Sequence, residues 1–220
     1  VLLMELNRVA SHLVALATGG NELGATTIMT TGFTGREEIL KIFELITGLR
    51  MNHGFIRPGG VAQDIPPGAL DTIRETLPRV RDYIGQLSDL MLGNPIFKGR
   101  LVDVGYLGLA GCMALGITGP MLRATGLPYD VRKHTPYCGY ETYDFDVPTA
   151  TEADSYARVV LRIEEFQPAV QAGAYLLPVT HGITLMQEIM LGGTIIHGWQ
   201  LLALGVIAAV LLSSSWLLLY

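Results

Sequence analysis

The sequence predicts a mainly helical chain with small β pieces, an α+β fold. Apolar residues recur in steps of three and four through four long segments, the pattern of one buried helix face. Residues 93–128 break into short pieces punctuated by Gly and Pro, too irregular for long helices. A single stretch, Tyr140–Val147, alternates polar and apolar side chains as a half-exposed strand or extended arm does.

The first helical stripe is Leu2, Leu6, Val9, Leu13 and Leu16, with no capping residue before it. The reading is of a chain that begins inside an element, as a fragment of a longer protein. Gly19-Gly20 is expected to end this helix. A Thr-rich connection then leads to Gly35-Arg36-Glu37-Glu38, whose acidic residues suit a positive helix start, with Lys41 four residues after Glu37. Ile39, Ile42, Phe43 and Ile46 form the second stripe. Pro66-Pro67 open a third helix, whose seam is Leu70, Ile73, Leu77, Val80, Ile84, Leu87 and Met91, with Pro78 a kink. Leu101–Leu107 is expected to be strand-like, with a short helix around Cys112–Leu115. Thr149 or Thr151 would cap a final helix over Ala153–Phe166.

Residues 1–165 are read as one domain and 166–198 as a boundary segment. The last charged residue is Glu188, and Trp199–Tyr220 is a run of 22 residues with few polar members. That is long enough at about 1.5 Å per residue to span a bilayer core of roughly 30 Å, with Trp199, Trp216 and Tyr220 near its ends. The expectation is one transmembrane helix. The opening Val1-Leu-Leu-Met-Glu lacks the basic region of a signal peptide.

A formal charge of −5 over 220 residues argues against a nucleic-acid partner. Cys112 and Cys138 form no CxxC, so neither a zinc site nor a disulfide framework is expected. No GxGxxG, P-loop, GxSxG or HExxH is present, which leaves a self-contained enzyme unsupported.

One stretch resists a packing explanation. Thr47–Asp64 holds His53 between Arg50 and Arg57 in sequence, then Pro58-Gly59-Gly60, a backbone that must turn sharply beside charged groups. Two guanidiniums beside an imidazole disfavour its charged form and make it responsive to nearby charge; a structural His beside a turn remains the other reading. His12 and Glu22, on either side of Gly19-Gly20, could relay a proton, or Glu22 could be a solvated loop residue. Asp130-Val-Arg132-Lys133-His134 reads as a solvated run or a docking surface.

Several motifs are specific enough to compare with a family: Glu5-Leu-Asn-Arg8 with Ser11-His12, Glu22-Leu-Gly-Ala25, Arg36-Glu-Glu38 and Thr47-Gly-Leu-Arg-Met51. Ile56-Arg-Pro-Gly-Gly-Val61, Gly119-Pro-Met-Leu-Arg123 and Asp130-Val-Arg-Lys133 continue the series. Together they resemble the 49-kDa, or D-type, family of respiratory complex I subunits, colinearly from about residue 1 to 165. The resemblance implies a fragment of a fold like the large subunit of nickel–iron hydrogenases, without the metal. It implies a non-autonomous part in NADH:quinone oxidoreduction coupled to proton translocation, on the cytoplasmic side of the cell membrane. The partners would be other complex I subunits, above all the B-type subunit that holds the terminal iron–sulfur cluster; quinone would be the substrate, and this chain alone would bind no cofactor.

Carried over by position, His12, Thr18 and Glu22 fall in the quinone-cavity segment. The family commonly has Asp where Glu22 stands, so the charge is kept and the reach is one methylene longer. His53 falls where the family has a redox-linked His near the cluster, which some members carry at the position of Asn52. Arg57, Gly59 and Gly60 lie beside it. The family's quinone-gripping N-terminal part would precede Val1, and its C-terminal part is missing too. From about residue 171 the chain looks instead like the end of an ABC-2-type transporter permease, which makes membrane transport or anchoring the alternative. A subunit of a related membrane-bound hydrogenase-like complex is another.

Overall fold

The apolar stripes become three long helices in the computed structural model, which describes residues 1–166. Helix α1 spans Leu2–Glu22, α2 Thr26–Thr47 and α3 Ala69–Leu92. Helix α2 packs against both α1 and α3. Leu6, Val9, Leu13 and Leu16 of α1, Ile28, Ile39, Ile42, Phe43 and Ile46 of α2, and Ile73, Val80, Leu87 and Met91 of α3 are all buried and make up the core. The expected seam of α3 is buried at every position except Leu70, which is half-buried, and the helix runs on through Pro78.

The helix boundaries differ from the sequence expectation at the glycines. Helix α1 continues through Gly19-Gly20 to Glu22, and α2 starts nine residues before Gly35. The reason is close packing. A Cβ on Gly20 would stand 2.8 Å from Ile28 Cβ, one on Gly32 2.7 Å from Ala17 Cβ, and one on Gly35 3.0 Å from Tyr83 Cβ. These glycines let three backbones approach each other. The turn between α1 and α2 is made instead at Gly24, with φ of +86°, and Gly48 ends α2 in the left-handed conformation.

The β content is one small hairpin, β1 (Ile56–Arg57) and β2 (Gly60–Val61), with Ile56 opposite Val61 and Arg57 opposite Gly60. Pro58-Gly59 fill the two central turn positions, with φ of +89° at Gly59, as a type II turn requires. Leu101–Leu107 is not a strand. Its first residue closes helix α4, Pro95–Leu101, and the rest is turn, because Gly105 adopts φ of +66°. Short helices α5 (Leu109–Ala114), α6 (Pro120–Arg123) and α7 (Val131–His134) follow. Tyr140–Thr142 is a 3-10 turn leading into unpaired extended chain, so the arm reading holds there and the strand reading does not. Helix α8, Ser155–Glu164, is capped by Asp154 rather than by Thr149 or Thr151; its carboxylate accepts from the Ala157 N–H at 2.8 Å.

Among the described residues no helix is long and apolar enough to cross a membrane. The expected span at 199–220, and all but the first residue of the boundary segment 166–198, lie outside the described residues.

The glycine packing has a sign that can be measured. Gly32→Ala should lose about 1–3 kcal/mol by overpacking. Gly85→Ala, in mid-helix with open space around its would-be Cβ, should gain up to about 1 kcal/mol from helix propensity. Urea unfolding of both variants checks the opposite signs.

Candidate functional site

A ring of six alternating charges ties the helices together behind α1. Glu5 accepts from Arg8 Nη2 at 2.7 Å, and Arg8 Nη1 reaches Glu165 Oε2 at 3.4 Å. Glu165 Oε1 accepts from Arg123 Nε at 2.9 Å, Arg123 stands 3.8 Å from Asp130, and Asp130 is gripped by Arg132 at 2.6 Å. Arg132 Nη1 then returns to Glu5 at 2.9 Å. Two neutral groups hang on the ring: His12 Nε2 lies 2.7 Å from Glu165 Oε2, and the Tyr140 hydroxyl donates to Glu5 at 2.7 Å.

Local structure puts each member in place. Glu5 sits in the first turn of α1, where a carboxylate is favoured by the helix dipole. Arg8 and His12 follow one and two turns on. Asp130 caps α7 and accepts from the Arg132 N–H at 3.0 Å. Glu165 is the residue that ends α8, where the dipole disfavours negative charge, so its stability depends on the two arginines.

The acids of the ring and Arg123 are buried, with the Glu165 side chain 2% exposed and that of Glu5 3%, while Arg8 and Arg132 are half-buried. Burial alone would push the Glu165 carboxyl upward. The His12 hydrogen bond and the Arg123 guanidinium outweigh it and hold the carboxyl down at about 2. Glu5 and Asp130 are likewise held below their ordinary values against the pull of burial, by Arg8 with Arg132 and by Arg132 with Arg123 respectively. Burial and Glu5 push Tyr140 up, which keeps its hydroxyl a donor. Burial lowers His12, and its bond to Glu165 opposes that without reversing it.

Beside the ring lies a cleft of about 560 Å³. Glu5, Arg8 and Arg132 of the ring line it together with Tyr140, and so do Asn52, His53 and Ile56 of the 47–64 segment. His53 is half-buried against the edge of Phe43 at 5.1 Å, and its Nδ1 is enclosed without a hydrogen-bond partner.

The expected site residues do not form one cluster. His12 is in the ring and His53 at the cleft. The Thr18 hydroxyl is exposed and donates to its own helix at the Val14 carbonyl, 2.7 Å away. Glu22 is exposed at the end of α1, so His12 pairs with Glu165 and not with Glu22. The two arginines around His53 are engaged elsewhere. Arg50 forms a bidentate pair with Glu37, and Arg57 Nε donates to the Gly54 carbonyl at 2.7 Å. Gly59 and Gly60 lie exposed at the hairpin tip. Arg36, Glu37 and Glu38 fall in mid-helix rather than in a first turn: Arg36 bonds the Ala10 carbonyl, and Lys41 pairs with Glu38 at a spacing of three. Asp130 is a buried and Arg132 a half-buried ring member, not a solvated run. Sequence reading missed Glu5, Arg8, Arg123 and Glu165 as site members; only the Glu5–Arg8 spacing on one helix face was a local signal. Among the described residues no group of His, Cys, Asp and Glu is arranged to hold a metal ion.

Fold and site together define a mainly helical protein with a buried ring of charge beside an open polar cleft. The comparisons give this class its family. The model of the family described as "Respiratory-chain NADH dehydrogenase, 49 Kd subunit" matches residues 22–172. The chain is 66% identical over 171 residues to the second D-type subunit of NADH-quinone oxidoreductase from Streptomyces coelicolor, covering 78% of this chain and 39% of that protein. It is 65% identical over 165 residues to the D-type subunit of a Nocardioides species, covering 75% and 37%. With the D-type subunit of Mycobacterium avium the identity is 58% over 171 residues, covering 78% and 39%. The chain belongs to the family of the 49-kDa subunit of respiratory-chain NADH dehydrogenase, and it spans about two fifths of the length of these relatives. The likeness of the tail to a transporter permease finds no support in these matches.

The ring sets an acid limit on stability. A carboxyl drawn from 4.5 to about 2 contributes about 3 kcal/mol. That contribution is complete above about pH 4.5 and is lost as the pH falls toward about 2. His12 works in the same direction from higher pH: it is lowered from 6.5, so the unfolded chain takes up a proton first and stability falls below about that pH. Glu165→Gln should lose about 3–5 kcal/mol at neutral pH, because it strands buried guanidinium charge. Its stability should also change less than wild type between pH 4.5 and pH 2, as read from urea midpoints across that range.

Proposed function

We propose that residues 1–165 act within NADH:quinone oxidoreductase as part of the quinone-reduction chamber, next to the terminal iron–sulfur cluster of a B-type partner subunit. The observation that carries the reading is the identity of 66% with a D-type subunit of NADH-quinone oxidoreductase across most of this chain. The position of His53 supports it, since its enclosed Nδ1 lacks a partner at a cleft open to another body. A hydrogenase large-subunit-like fold, seated at the cytoplasmic face of the cell membrane, belongs to the same reading. A membrane-spanning tail at 199–220 is foreign to that function and belongs to the alternative of membrane transport or anchoring. In the quinone reading the partner's cluster would pass two electrons, one at a time, and quinone would accept them with two protons from water to become quinol.

The part of this chain is electrostatic. An imidazole within reach of a centre that gains negative charge becomes easier to protonate. His53 would take up a proton at its ring as the neighbouring centre is reduced and give it up on reoxidation. The hairpin carrying Arg57, Gly59 and Gly60 would meet the partner subunit at the same edge. Of the quinone-cavity residues His12, Thr18 and Glu22, the exposed Thr18 and Glu22 would border the quinone from α1, and His12 would act from behind the helix.

Two measurements test this. The 220-residue chain, co-expressed with the cluster-bearing subunit of an actinobacterial complex I, should co-purify with it; a folded chain that does not co-purify overturns the reading. In an intact relative, replacing the His at the position of His53 by Ala should flatten the pH dependence of the cluster's midpoint potential. That dependence is about 59 mV per pH unit where one proton follows one electron, and an unchanged slope removes His53 from the redox-linked role.

A further inference from the structure

Glu165 is engaged from several sides. Arg123 donates to Oε1 from Nε at 2.9 Å and also from Nη2, while Arg8 Nη1 approaches Oε2 at 3.4 Å. A carboxylate clamped by two guanidiniums is ionised and accepts only. In its 2.7 Å contact with His12 Nε2, the imidazole is therefore the donor. A neutral imidazole with its proton on Nε2 has a lone pair on Nδ1.

The charge count favours the neutral ring. Glu5, Asp130 and Glu165 balance Arg8, Arg123 and Arg132, so a proton on His12 adds unmatched charge to a buried assembly. The charged groups that face His12 are Arg8 on its own helix and Glu165 and Arg162 on α8, with Arg123 behind Glu165. Helix α2 brings Arg36 to this part of α1, already bonded to the Ala10 carbonyl at 2.8 Å. Phe166 sets its ring nearly perpendicular to the imidazole, 82° at 5.8 Å, which limits rotation of the ring about its bond to Cβ.

We propose that Glu165 is the positioning residue of His12, fixing the imidazole as the Nε2–H tautomer so that Nδ1 is its proton-accepting nitrogen. The consequence for catalysis rests on the reading of α1 as a quinone-bordering helix. A proton delivered by water to Nδ1 forms an imidazolium whose Nε2–H stays on Glu165. Loss of that proton from Nδ1 to water restores the starting state, with no ring flip and no net change in the carboxylate. His12 is then a proton station of fixed polarity, and Glu165 sets the polarity without touching quinone.

The test is two-bond ¹H–¹⁵N correlation of the histidine rings in the full 220-residue chain, with His12 assigned from its loss in His12→Gln. At pH 7 the wild type should show protonated Nε2 and bare Nδ1, favoured at least about tenfold over the other tautomer. Glu165→Asp should retain the preference and Glu165→Gln should reduce it several-fold. A predominant Nδ1–H form, an imidazolium at pH 7, or an unchanged ratio in Glu165→Gln overturns the proposal. If the Gln variant does not fold, the wild-type Glu165 carboxyl ¹³C resonance takes its place. It must shift together with protonation of His12, and independent titrations overturn the proposal. No quinone or partner subunit enters these readouts, so they can fail while the quinone reading stands, and the reverse.

Discussion

Four buried charges, Glu5, Arg123, Asp130 and Glu165, closed into a ring by the half-buried Arg8 and Arg132, are tolerable only if each faces an opposite charge, and that requirement organises how residues 123–165 meet α1. Each acid of the ring meets two guanidiniums, and each guanidinium meets two acids. The apolar core beside α8 is small: Ala124, Ala157 and Leu161, with Ala150 against them. Packing of that size fixes orientation poorly, whereas hydrogen-bonded charges separated by 127 and 157 residues specify which segments meet. Buried ion pairs are weak sources of net stability, so the ring is better understood as a device of registry. Removing any one member leaves a neighbour uncompensated.

The first half is built differently. Helices α1 to α3 pack through aliphatic seams and three glycines that permit close approach. That gives a rigid face from which the 47–64 segment projects. The hairpin carries Ile56 and Val61 about half exposed, at 49% and 56%. His53 is held by Phe43 of α2. A stiff helical pair therefore presents a titratable residue to the cleft, which the ring also lines through Arg8 and Arg132.

The aliphatic seams were legible because their spacing alone encodes them, as with Ile73, Val80, Leu87 and Met91. The turn at Pro58-Gly59 was legible because few other residue pairs satisfy it. Gly20 and Gly35 misled for a physical reason: the missing Cβ that frees a backbone also lets two helices touch, and sequence does not say which property is in use. Leu101–Leu107 looked like a strand because a short apolar run has no period of its own. The ring was illegible as a ring since the two pairs that close it, Arg8–Glu165 and Arg132–Glu5, are separated by 157 and 127 residues, and Glu165 carries no local mark of burial. The motif series did name Glu5, Arg8, Arg123, Asp130 and Arg132, through resemblance rather than through any contact it could foresee.

The geometry of α1 divides the expected quinone-facing set. With about 100° and 1.5 Å per residue, Thr18 and Glu22 lie one turn apart on a common face. His12 stands about 9 Å from the level of Thr18 and about 15 Å from that of Glu22, turned roughly 80–120° away toward α8. The burial agrees, since Thr18 and Glu22 are exposed while His12 is enclosed by Glu165 and Phe166. One compact headgroup cannot touch all three at once. If quinone borders α1, its direct contacts lie along the Thr18–Glu22 face, and His12 takes part from behind the helix. Its influence must then travel as charge or as a proton, which is the kind of influence a balanced ring with one titratable neighbour can transmit.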